Sequence, residues 1–263
     1  MNYVRKPNQG LISLVHGPID RPIVTRFRKG NPKITDGQIP RVVESHIGTE
    51  LFTMAHMIAS TPHPVDKVDA IAVMPGLGEH IRIITAVNAW ESNPQTRHLL
   101  IAGTNPTEHT QIQPTLEFLQ GNPIYLQRTD GVETQINAKH TREQAEWLME
   151  RVRALNIRSM ALFVSHWHLP RAYSTLIKTM LEDGDNYRPI PVFPVSVVTS
   201  PNAITPETKA SVTAMSAGEA ERIRKYQELG YVVTLDELHA YLGWLWEQDI
   251  VPINEYLNRR LSI

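Results

Sequence analysis

The stretch Met160-Ala161-Leu162-Phe163-Val164-Ser165-His166-Trp167-His168-Leu169-Pro170-Arg171 decides how this chain folds. Its first five residues are apolar with little alternation, which suits a strand covered on both faces. Polar residues then end the run and a helical pattern follows, so the stretch reads as strand end, short loop and helix start. Pro170 fits a first helical position, where its fixed φ and missing N–H do no harm, which leaves His168 just outside the helix and Arg171 just inside. Two imidazoles, a hydroxyl and a guanidinium thus crowd at the carboxyl end of a strand, where open α/β sheets keep their ligands. Arg171 lies in the first helical turn, where the backbone dipole is already positive. A cation there needs an anion beside it, either a bound ligand or a carboxylate from elsewhere in the chain, such as Glu108.

Working outward, strands are expected at Ala70–Met74, His98–Ala102, Ile124–Leu126 and Ile190–Val195 as well as Met160–Ser165, with helices near 79–92, 108–120, 141–156 and 170–183. Such alternation signals βαβ units and a parallel sheet. Upstream, Val43, Ile47, Leu51, Met54 and Met57 share one face of a helix over Pro40–Ser60, stopped by Thr61-Pro62-His63-Pro64. Residues 1–39 read as an irregular arm with short apolar runs at Leu11–Val15 and Ile23–Thr25. After Ser200 the pattern is helical. Ser216-Ala217-Gly218-Glu219 has capping-box spacing for a helix ending near Gly230, and Thr234-Leu235-Asp236-Glu237 repeats the device before the Trp244/Trp246 helix. The expected organisation is an arm and helix over 1–65, an α/β core over 66–200 and a helical extension over 201–263, forming one compact unit.

Composition narrows the function classes. Lys plus Arg number 26 against 27 for Asp plus Glu, so no global pull toward nucleic acid or anionic membrane is expected. The absence of cysteine removes disulfides, thiolate nucleophiles and cysteine metal sites. No apolar run approaches the ~20 residues that span a bilayer, and the polar start Met1-Asn2-Tyr3-Val4-Arg5-Lys6 lacks a signal-peptide pattern. A cytoplasmic protein without a membrane segment is therefore expected.

In the commonest doubly wound order the first strand lies beside the fourth, so Met74-Pro75-Gly76-Leu77-Gly78-Glu79 should face Ser165–Arg171. Gly76 and Gly78 let backbone approach a ligand, and the helix start offers free N–H groups to an anion. The dinucleotide pattern G-x-G-x-x-G fails at Ile81, and Ala102-Gly103-Thr104-Asn105 puts no acid at the end of the second strand, which argues against an ordinary NAD site. His168 and Arg171, three apart, can reach one phosphate or carboxylate, Arg171 with its fork of donors. Thr141 and Gln144 have capping-box spacing, and Thr141 sits on the side where it can point into the same cleft. Ser165 lacks a G-x-S-x-G elbow, so it is expected to bind phosphate rather than act as a nucleophile. Glu79-His80 and Glu108-His109, with His166 and His168, raise the alternative of a zinc or manganese site.

These residues also carry a family resemblance. Val164-Ser165-His166-Trp167-His168-Leu169-Pro170-Arg171-Ala172 resembles the V-T-S-x-x-H-x-x-R-A signature of the YdcF/SanA/ElyC-like family, a bacterial family of poorly defined function. Thr141–Ala145 resembles its T-x-E-E-A element, Asp69–Gly76 its opening D-A-I-V-V-L-G-G, and Ala102-Gly103 followed by Glu108 its S-G-G…E-A element, in the same order over residues 68–196. The chain departs at Pro75, Thr104 and Gln144. The strand pattern gives a five-stranded, mostly parallel sheet, and the resemblance implies a three-layer α/β/α Rossmann-like core around it. It implies a cleft holding Gly76, Gly103, Glu108, Thr141, Glu143, His168 and Arg171, and, for its soluble branch, a nucleotide-type ligand such as S-adenosylmethionine.

The functional expectation is a cleft for an anionic, phosphate- or nucleotide-type small molecule. Gly76, Gly78, Gly103, Thr141, Glu143, Ser165 and Arg171 would bind it, and His168 and Glu108 would do any acid–base work of a hydrolase or transferase. The alternatives are a non-catalytic sensing module and a metal-dependent hydrolase using Glu79, Glu108 and His168.

Overall fold

The computed structural model describes residues 46–62, 64–183 and 189–248. The arm with its runs at Leu11–Val15 and Ile23–Thr25, the start of the helix expected from Pro40 and the end of the C-terminal extension lie outside the described residues.

Five parallel strands form one sheet in the order β3-β2-β1-β4-β5: β1 Ala70–Val73, β2 His98–Ile101, β3 Val132–Thr134, β4 Met160–Ser165 and β5 Val192–Val197. Ala70 pairs with Met160 and Val73 with Phe163, so the first strand does lie beside the fourth. The chain runs outward from β1 to β3, then returns to the other side at β4, and the direction of winding reverses between them.

The helices are α1 His46–Ala59, α2 His80–Ser92, α3 Leu116–Gln120, α4 Thr141–Ala154, α5 Leu169–Leu181, α6 Val212–Glu228 and α7 Leu235–Trp246. Flanking the sheet, they give the three-layer Rossmann-like architecture. All of β1 and β4 is buried, as are Trp90 of α2, Leu148 of α4 and Tyr173 of α5. Truncating such a residue, for example Leu162→Ala, costs about 2–5 kcal/mol of stability. Leu51, Met54 and Ile58 of α1 and Leu238, Tyr241 and Leu245 of α7 join the same core.

Three expectations need correction. The third strand is Val132–Thr134, not Ile124–Leu126. Ile124 and Leu126 are buried, but they cap the core from a loop entered through a cis Asn122–Pro123 bond, with Tyr125 between them at φ 59°. Burial alone had imitated a strand. The helix expected over 108–120 shrinks to α3, because Pro114 precedes its true N-cap, Thr115, whose side chain accepts from Phe118 N. Helix α6 is capped by Ser211, accepting from Ala214 N at 3.2 Å. Ser216 is internal and bonds back to Val212 O. The box at Thr234 and Glu237 is present as expected.

Candidate functional site

A cleft of about 240 Å³ opens at the carboxyl ends of the strands, between the β1 and β2 loops on one side and the starts of α4 and α5 with α6 on the other. Beneath it lies a buried polar network. Arg82, 1 % exposed, donates from Nη1 to Met74 O and from Nε to Ser165 Oγ, both at 2.8 Å, and pairs with Glu79. Ser165 Oγ donates to Glu79 Oε2 at 2.9 Å and Trp167 Nε1 to Glu79 Oε1 at 3.2 Å. Burial lowers the proton affinity of Arg82, and Glu79 opposes that. Ser165 is thus sealed inside an ion pair and does not line the cleft.

The glycine loop is built for tight backbone rather than for an open cradle. Gly78 has φ +71°, and a Cβ on it would come within 2.8 Å of Thr110. Leu77 N, an amide of this loop, donates to Glu108 Oε2 at 3.0 Å. Gly76 lines the cleft and Gly78 does not. Gly103 is required because Asn137 passes so close that a Cβ would sit 2.6 Å from its backbone. Gln144, buried, donates to Pro75 O at 2.9 Å and to Gly103 O at 2.6 Å, tying the two loops together.

The resemblance placed Glu143 in the cleft, but it serves the α4 N-terminus. Its Oε2 accepts from Lys139 N at 2.7 Å, while the N-cap His140 accepts from Glu143 N at 3.2 Å. Thr141, expected as the cap, turns its hydroxyl into the cleft, where it accepts from Arg171 Nη1 at 2.9 Å.

Helix α5 begins at Leu169, with His168 at the N-cap and Pro170 in the first turn. The anion that Arg171 needs there is Glu219 of α6, not Glu108. Arg171 donates from Nε to Glu219 Oε2 at 2.6 Å and from Nη2 to Oε1 at 3.3 Å. Arg222 Nη1 donates to the same Oε1 at 2.7 Å. Burial alone would raise the Glu219 carboxyl, but the Arg171 guanidinium hydrogen-bonded to it opposes this and holds the group well below the usual carboxylate range. Arg171 Nη2 also approaches His168 Nδ1 at 3.0 Å, closer than Glu219 Oε2 at 3.4 Å. A guanidinium only donates, so Nδ1 is the acceptor and the ring proton sits on Nε2. Burial first, then the Arg171 charge, lowers the His168 pKa to about 3, so the ring is neutral near pH 7.

Sequence reading missed Glu219 by treating it as part of a capping box. A signal was present: Val212, Met215, Glu219 and Ile223 form the buried stripe of α6, and a glutamate in an apolar stripe needs a buried cation. Trp167 packs against Val212 and Met215 and also lines the cleft.

Among the described residues no group of three His, Asp or Glu side chains is placed to hold a metal ion. Glu79, Glu108 and His168 are each engaged with different partners, which removes the support for the metal-dependent alternative. Among the described residues no helix is long and apolar enough to cross a membrane. The chain matches no protein-family model, and no curated protein matches it.

Proposed function

We propose that the cleft binds a small anionic molecule, with the anion held on the wall formed by α4, α5 and α6. The observation that carries this reading is charge. Lys139, Arg171 and Arg222 line that wall, and Glu219 is the carboxylate paired with Arg171 and Arg222. Glu143 at the start of α4 is the other carboxylate nearby, so three cations stand against two carboxylates and the wall keeps a net positive charge. The site also lies where winding reverses between β1 and β4, the position at which open parallel sheets gather ligands. A cleft of about 240 Å³ sits just below the ~300–1,000 Å³ of drug-sized sites, which favours a small metabolite over a dinucleotide. Inorganic phosphate, nucleoside monophosphates and S-adenosylmethionine, the ligand class the YdcF-like resemblance implies, are the first probes. Calorimetric titration should detect a phosphate-bearing probe, with affinity falling as salt rises. No heat from any probe, with no thermal stabilisation, would sink the reading.

A neutral His168 whose Nδ1 is occupied by Arg171 offers the ligand an Nε2–H donor, not a general base. That favours binding or sensing over catalysis by His168. A second reading, hydrolysis or group transfer, rests on Glu108. Burial raises its carboxyl, the Leu77 amide opposes this and Glu207 adds to it, bringing the group closer to the range of an acid–base catalyst. Turnover that Glu108→Gln abolishes and His168→Gln spares would support that second reading.

A further inference from the structure

We infer that the wall facing the cations is a hydroxyl-recognition site made by Glu108 and Asn105, so that the cleft takes a phosphorylated sugar or polyol with its phosphate toward Arg171 and its hydroxyls toward the β2 loop. This rests on the anion-binding reading above and adds the ligand's class and its orientation.

In an ordinary dinucleotide domain the phosphate lies on the glycine loop. Here a carboxylate already stands at that loop, since Leu77 N donates to Glu108 Oε2 at 3.0 Å. A second negative group beside Glu108 would be repelled, more so with Glu207 nearby, whose carboxylate holds His109 N and Thr110 N. The phosphate is therefore directed to the other wall, where Lys139, Arg171 and Arg222 outnumber the carboxylates Glu219 and Glu143 and a phosphate monoester, carrying about −1.5 to −2 at neutral pH, is attracted.

What remains on the β2 side is one acceptor and one donor. Glu108 lines the cleft, and its Oε1 has no hydrogen-bond partner among the described residues. Asn105 lines it too, joined to Glu108 by a tight turn in which Glu108 N donates to Asn105 O at 3.1 Å. Asn105 Oδ1 is occupied by Thr107 N at 3.0 Å and Thr107 Oγ1 at 2.9 Å, which fixes the amide and leaves its NH₂ as the group to offer. A carboxylate oxygen and an amide NH₂ on one wall complement a hydroxyl, which donates and accepts at once; an ammonium would use only the carboxylate. Thr104, the other hydroxyl-bearing residue here, is satisfied by Ile112 in both directions and does not compete.

The test compares inorganic phosphate with ribose 5-phosphate by calorimetric titration of the full chain and its variants. The native protein should bind ribose 5-phosphate about ten-fold more tightly than phosphate, the effect of two further hydrogen bonds. Glu108→Gln keeps an oxygen for Leu77 N and should lose most of that preference while still binding phosphate. Asn105→Ala, on a partly exposed loop, should lose part of it and decides the matter if the first variant does not fold. If the native protein binds both probes equally, or if the preference survives both substitutions, the hydroxyl site is wrong and the anion reading stands. If the native protein binds neither, the anion reading fails and this inference falls with it.

Discussion

The Glu219 carboxylate accepts the Arg171 Nε–H at 2.6 Å across 48 positions of sequence, with the two side chains 4 % and 13 % exposed. It resolves the conflict of a cation in the first turn of α5, and it joins the C-terminal helices to the cleft. Removing one partner of such a buried pair leaves the other charge uncompensated. Glu219→Ala should therefore destabilise the fold by about 3–5 kcal/mol in urea titration. A loss below about 1 kcal/mol would mean that the pair is not structural.

Acid should weaken the molecule in a defined window. Unfolded, His168 takes a proton near pH 6.5; folded, it refuses one until about pH 3. The unfolded state then binds more protons between those limits, so stability falls as pH drops through them. Glu219, held low in the fold, adds a loss of the same sign below about pH 4.5. Urea midpoints measured from pH 7 to 4 should decline, and His168→Asn should flatten the part of the slope between pH 6.5 and 5. An unchanged slope in that variant would contradict the assignment.

Lys139 is exposed and the Arg222 side chain is 43 % exposed, so neither supports the core. Lys139→Ala and Arg222→Ala should each leave the melting temperature within a few degrees of native and weaken phosphate binding several-fold. The slope of affinity against salt should become shallower. Native affinity in both variants would remove the cationic wall from the reading.

The glycines divide by what surrounds them. Gly103→Ala drives a Cβ into the Asn137 backbone at 2.6 Å and should cost about 1–3 kcal/mol or more, since backbone cannot yield cheaply. Gly76→Ala meets nothing nearer than Arg82 Nη1 at 3.8 Å and should be tolerated within ~1 kcal/mol. Equal thermal denaturation of the two variants would contradict this ordering.

The pairing of β1 with β4 was legible because long apolar runs and helical spacing survive in the sequence. So was the meeting of Gly76, Thr141, His168 and Arg171, which follows from strand order alone. Elsewhere sequence pattern and three-dimensional role diverged. Ile124 and Leu126 are as apolar as strand residues, yet the turn at Tyr125, at φ 59°, commits them to a loop. Ser165 and Glu143 carry the right chemistry, but one is consumed by Arg82 and Glu79 and the other by a helix start. Glu219 stands in the apolar stripe of α6, which signals a buried cation, but no local pattern says which distant cation that is.

Trp167 has a consequence for experiment. Its indole lines the cleft, donates to Glu79 and lies with its ring centroid 5.3 Å from the Arg82 guanidinium carbon, so fixed charges surround the chromophore. An anion entering the cleft changes the field along that ring. On the proposed anion binding, this indole is an optical gauge of occupancy, and a chain retaining only this tryptophan would report binding as a shift in emission colour without any label.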